Sequence, residues 1–96
     1  MIMDNDAIRL ASSLIRIPSV TGSEGEIISF LDSYLADAGF STEILPSGSL
    51  IGIIDGGMPG PTTVLDGHID TVGIGDESEW SFPPFAGDVA DGMIRG

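Results

Sequence analysis

Ninety-six residues carry 15 acidic and 3 basic side chains, a net charge of −12 at neutral pH, 42% apolar residues and no cysteine. That balance excludes a disulfide framework and thiolate metal ligands. It opposes contact with phosphate backbones and anionic membranes, so neither nucleic acid nor membrane is an expected partner. The length allows one small domain with a thin core, and the patterned apolar residues are not those of a disordered chain.

There is no lysine; the cations are Arg9, Arg16 and Arg95. Surplus carboxylates are compatible with divalent cations, but charge by itself is better read as solubility alone. Met1 to Asp6 lacks the basic start and apolar core of a signal peptide. No apolar run approaches the roughly 20 residues needed to cross a bilayer. The expected location is cytoplasmic.

Asp4 to Ile17 reads as a helix. Asp4 or Asn5 can cap it, and Ile8, Ala11, Leu14 and Ile15 recur at helical spacing. Pro18 ends it, because the residue before a proline is pushed out of the helical region. A second helix is expected over Gly22 to Gly39. Ser23 and Glu26 have the spacing of a capping box, and Ile27, Phe30, Leu31, Tyr34, Leu35 and Ala38 form an apolar stripe. Gly39 suits the left-handed position that closes a helix.

Beyond Gly39 the period falls to two. Phe40 to Leu45 and Leu50 to Ile54 read as strands around a Ser47-Gly48-Ser49 turn. Asp55 to Pro61 is a loop. Thr62 to Asp66 reads as a third strand, apolar on successive residues as expected if both faces are covered. Gly73 to Gly87 is long and irregular, with Trp80, Phe82 and Phe85, and such loops are often functional. The aromatics can line a cleft or fill a core. Asp91-Gly92 marks a closing hairpin. Two helices followed by strands imply an α/β fold with a mixed sheet. Too few elements are present to cover such a sheet, so an exposed apolar face or edge is expected.

The chemistry-bearing stretch is Leu65-Asp66-Gly67-His68-Ile69-Asp70-Thr71-Val72, which holds the single histidine of the chain. Residues i and i+2 of a strand share a side. Asp70 can therefore reach one ring nitrogen of His68 and fix its tautomer, leaving the other nitrogen for a metal. The end of a strand is the usual place for ligands in α/β sheets. A histidine merely exposed at a strand end is the bland alternative.

Gly67-His68-Ile69-Asp70-Thr71-Val72 resembles the first metal-binding motif of the zinc-dependent aminoacylases, carboxypeptidases and deacylases. Other landmarks agree in order. Leu14 to Val20 is similar to the end of that family's first helix, Gly22-Ser23-Glu24 to the start of its second, and Ala38-Gly39-Phe40 to its helix-to-strand turn. Trp80 to Phe85 and Asp91 to Gly96 resemble its aromatic loop and the hairpin before its second motif. The resemblance spans the whole chain, 1–96, as the N-terminal portion of a zinc-peptidase-like catalytic domain, without the family's smaller lid or dimerisation domain. It implies two zinc ions, with cobalt or manganese as substitutes. His68 would bind one ion and Asp70 would orient the imidazole, as the residue of the catalytic machinery present here. A bridging aspartate, a general-base glutamate, two more carboxylates and a final histidine would follow Gly96. The implied reaction is cleavage of amide bonds in N-acyl amino acids or small peptides: two cations activate a water and stabilise the oxyanion, and a glutamate shuttles the proton. One imidazole and one carboxylate cannot do this, so the 96 residues alone are expected to be inactive and to bind zinc weakly.

Two departures stand out. Pro83 occupies a position where the family often has an acidic residue, and Gly73 to Glu77 is an insert with unassigned carboxylates. Other motifs fail on chemistry. Asp70-Thr71 is followed by valine where an aspartic-protease triplet needs glycine. Position 70 is not the histidine that cyclic amidohydrolases need. Gly73-Ile74-Gly75 does not join a strand to a helix, as a phosphate loop would. Ser19 and Ser23 have no histidine-and-acid set. The main rival is a stand-alone acidic interaction module, or the product of a truncated gene, without catalysis; a metal-buffering acidic protein is a third. Self-association through an exposed sheet edge is expected of an unfinished sheet.

Overall fold

In a computed structural model, residues 4–96 are described, with side chains from Asp6 onward. The capping expected of Asp4 or Asn5, and the first three residues of the leader reading, fall outside what is described. Helix α1 spans Asp4–Ile15 and helix α2 spans Gly25–Asp37. Strands β1 (Ser41–Ile44) and β2 (Leu50–Ile53) form one antiparallel hairpin, with Ser41 opposite Ile53 and Ile44 opposite Leu50. A turn of 3₁₀ helix covers Glu77–Glu79, and β3 (Val89–Ala90) pairs antiparallel with β4 (Met93–Ile94).

The α1 helix stops before Pro18, as expected, and unwinds through a bond from Ile17 N to Leu14 O of 3.1 Å. Its most buried residue is Ser12, not a member of the apolar stripe; Ile8 is exposed. The Ser12 hydroxyl donates to Gly87 O at 2.6 Å and, one turn on, Arg16 Nε donates to Ala86 O at 3.0 Å. Two successive carbonyls of the distant loop are thus held by Ser12 of α1 and by Arg16 just past its end.

The start of α2 differs from the expected capping box. The helix begins at Gly25, two residues beyond Ser23, and no side chain caps it. Glu24 reaches back to accept from Gly22 N at 2.5 Å, and Ser23 N donates to Val20 O at 2.8 Å. The C-terminus closes as expected. Gly39 lies at φ +96°, Gly39 N donates to Ala36 O and Phe40 N to Leu35 O, both at 3.0 Å. This pair of bonds is the Schellman motif, in which the left-handed residue turns the chain so that two orphaned carbonyls are satisfied. Phe40 then leads into β1, and α2 lies against the hairpin. Gly52 faces Leu35, where a Cβ would come within 3.1 Å.

The predicted strand Thr62 to Asp66 is not formed. Those residues have no regular structure and no strand partner, with Val64 80% and Leu65 94% exposed, so neither face is covered. A strand needs a neighbour to take its N–H and C=O groups, and among the described residues none is alongside. In place of one mixed sheet there are two separate two-stranded antiparallel sheets. Parallel pairing is confined to one bridge between Val20 and Thr71. The architecture is mixed α/β. The Asp91-Gly92 hairpin forms as read: both residues have positive φ, 52° and 74°, the pattern of a type I′ turn.

Candidate metal centre

The three residues after Pro18 and residues 69–71 run side by side. Thr71 N donates to Ser19 O at 2.9 Å and Thr21 N to Thr71 O at 3.1 Å. The buried Ser19 hydroxyl adds a bond to Ile69 O at 3.0 Å. Pro18, which has no N–H to continue a helix, separates α1 from this short edge. The segment carrying His68 and Asp70 is therefore fixed by residues 19–21 rather than by the expected strand 62–66.

Within that frame, His68 Nδ1 lies 2.9 Å from Asp70 Oδ1 and 3.0 Å from Asp70 O. Two oxygen acceptors at one ring nitrogen require a proton there, so the neutral ring is the Nδ1–H tautomer and its lone pair sits on Nε2. Nε2 makes no hydrogen bond among the described residues, and the side chain is 83% exposed. The second carboxylate oxygen, Oδ2, accepts from the Thr21 hydroxyl at 2.6 Å. That hydroxyl first, and His68 second, hold the Asp70 carboxyl below the ordinary carboxylate range.

His68 and Asp70 line an open cleft of about 470 Å³ between the first turn of α2, the turn joining β1 to β2, and residues 66–70. Glu24 and Asp66 line it too, and Ile28, Leu31 and Leu35 form its apolar wall. No arginine is among the lining residues, so the one imidazole sits among three carboxylates. Such a donor set suits a hard or borderline divalent cation. It supplies one imidazole with a partner; among the described residues no group of three or more metal-binding side chains converges. Asp70 and His68 come together as their spacing predicts. Thr21 and Ser19 complete the arrangement and were missed by the motif. The available signal was Ser-Val-Thr directly after a proline, an extended segment with two hydroxyls.

The aromatic loop is apart from this cleft. Trp80 and Phe82 meet edge to face with centroids 5.6 Å apart, and Trp80 Nε1 donates to Ile74 O at 2.9 Å. Arg95 lies over the Phe82 ring at 6.0 Å. These side chains pack on one another, and none of them lines the cleft around His68. Among the described residues no helix is long and apolar enough to cross a membrane.

A succinyl-diaminopimelate desuccinylase of Methylorubrum extorquens is 43% identical over 100 residues, covering 97% of this chain and 26% of that protein. The desuccinylase of a Bradyrhizobium species is 40% identical over 97 residues, covering 95% of this chain and 25% of that protein. That of a Ruegeria species is 34% identical over 94 residues, with the same two shares. No family profile and no solved structure matches. Along nearly its whole length the chain is similar to succinyl-diaminopimelate desuccinylases, enzymes of the zinc aminoacylase and deacylase family. It spans about a quarter of their length.

Proposed function

We propose that these residues are the first part of the catalytic domain of a metal-dependent amide hydrolase with a zinc-peptidase-like fold, acting on N-acyl amino acids, with N-succinyl amides the first class to test. The observation that carries this reading is the 2.9 Å contact between His68 Nδ1 and Asp70 Oδ1, in a stretch of the chain related to desuccinylases. His68 is the metal ligand through Nε2, and Asp70 is the orienting carboxylate of the catalytic machinery. The donor chemistry fits zinc, or cobalt or manganese in its place. A bound pair of such ions would supply Lewis acidity and lower the pKa of a bound water to about 7.

The work of this chain's own residues is positional. Asp70 keeps the proton on Nδ1 and so keeps the lone pair on Nε2. It also raises the basicity of the ring as a ligand. Glu24 and Asp66 add negative charge around the cleft, which favours a cation and disfavours a free anion beside it. The remaining ligands and the proton shuttle belong to residues other than these 96. By themselves the 96 residues neither turn over substrate nor hold zinc tightly.

A chimera tests the reading. Residues 1–96 replace the matching quarter of the Methylorubrum desuccinylase, and hydrolysis of succinyl-diaminopimelate is measured. Activity is retained in the chimera, and His68→Ala lowers kcat/KM by at least about 1,000-fold, since a lost metal ligand removes several kcal/mol of transition-state stabilisation. An active chimera indifferent to His68→Ala overturns the metal role. A second reading, an acidic interaction module, is favoured by the exposure of Val64, Leu65 and Val72; it predicts an inactive chimera.

A further inference from the structure

We propose that Thr21 is a positioning residue for His68, acting through Asp70; the inference rests on the reading of His68 as a metal ligand. An exposed carboxylate turns freely about its terminal bond unless both oxygens are engaged. Here both are. Thr21 Oγ1 donates to Oδ2 at 2.6 Å, and His68 Nδ1 faces Oδ1 at 2.9 Å. The hydroxyl is itself placed by main chain, because Thr21 N is bonded to Thr71 O and Ser19 to both Ile69 and Thr71. The relay runs from a paired backbone to a hydroxyl, from the hydroxyl to a carboxylate, and from the carboxylate to the imidazole. Without the hydroxyl, Oδ2 is released to water, the carboxylate rotates, and Nδ1–H loses its fixed acceptor. The ring then reverts toward the Nε2–H form that a free histidine side chain prefers. That form carries its proton on the nitrogen meant for the metal.

The single histidine makes the test direct. Two-bond ¹H–¹⁵N spectra of the full chain, recorded where the imidazole is neutral, report the tautomer of His68 without assignment ambiguity. A titration with zinc alone, followed on the Nε2 resonance, reports ligation. Wild type shows the Nδ1–H form. Thr21→Val and Thr21→Ala, which lack the hydroxyl, shift it toward Nε2–H and move the zinc midpoint up by about threefold to tenfold, below the full effect expected of the carboxylate itself. Thr21→Ser restores both. Should Thr21→Val and Thr21→Ala keep the wild-type tautomer and midpoint, or Thr21→Ser behave like them, the role of Thr21 is overturned while that of His68 stands. A wild-type ring already in the Nε2–H form overturns the Asp70 relay and, with it, this proposal. Zinc that leaves the Nε2 resonance of wild type unmoved at any concentration removes the metal reading as well.

Discussion

Asp70 and Asp76 are both surface carboxylates held by a hydroxyl. Asp76 caps the turn Glu77–Glu79, accepting at Oδ1 from Ser78 N at 2.9 Å and from Ser78 Oγ at 2.7 Å. These bonds, the hydroxyl's first, place its carboxyl below the ordinary range. A depressed carboxyl contributes stability that is present above the ordinary carboxylate range and is lost as pH falls through the folded value. The cap therefore loosens only in acid below the usual Asp range. Ser78→Ala removes one of two donors, so the Asp76 pKa rises part of the way to its ordinary value, read from the carboxyl ¹³C shift against pH. The Asp76 cap is local, two residues apart, as is the His68–Asp70 contact, whose spacing announces it. The Thr21–Asp70 bond joins residues 49 apart, and no local pattern encodes it.

The elements that form as read are those whose signals are local. Gly39 closes α2, and Asp91-Gly92 turns the last hairpin because both need positive φ and these residues tolerate it. The Thr62 to Asp66 strand fails because apolar composition alone does not provide an edge to pair with. The capping box yields because Val20 and Gly22 already claim the groups around Ser23. Two glycines separate backbone strain from packing. At Gly39 a Cβ would meet nothing within 4 Å, so Gly39→Ala carries only the left-handed cost, about 1 kcal/mol. At Gly87, φ +64°, a Cβ would meet Ser12 O at 2.5 Å, so Gly87→Ala adds a clash with backbone and costs at least about 2 kcal/mol. Urea unfolding of the two variants, with Gly87→Ala the less stable, checks the order.

At the scale of the molecule, the chain exposes more than a compact protein of its mass should. Its accessible surface is 7386 Å², against about 5,200 Å² expected of a folded monomer of this size. Its radius of gyration is 15.6 Å, against about 12.5 Å for a compact domain. The excess equals a large protein interface, matching a chain that spans a quarter of its relatives' length. Among the described residues Ile27, 3% exposed, is the one buried aliphatic or aromatic side chain. Ile27→Ala is therefore expected to cost about 2 kcal/mol, and Leu65→Ala less than about 0.5 kcal/mol, in chemical denaturation of the chain. Equal losses would mean that Leu65 is covered in solution. Helices and hairpins were legible because they answer to their own residues, whereas the exposure of Val64, Leu65 and Val72 follows from which segments lie alongside, which no local pattern encodes.

The rungs between residues 19–21 and 69–71 close a loop of about fifty residues. Bringing such ends together costs roughly 3.5 kcal/mol in chain entropy, recovered only when the intervening helix and hairpin have formed. The Thr21–Asp70 bond therefore depends on that closure, whereas the contact between His68 and Asp70 spans two residues and needs no loop to be closed.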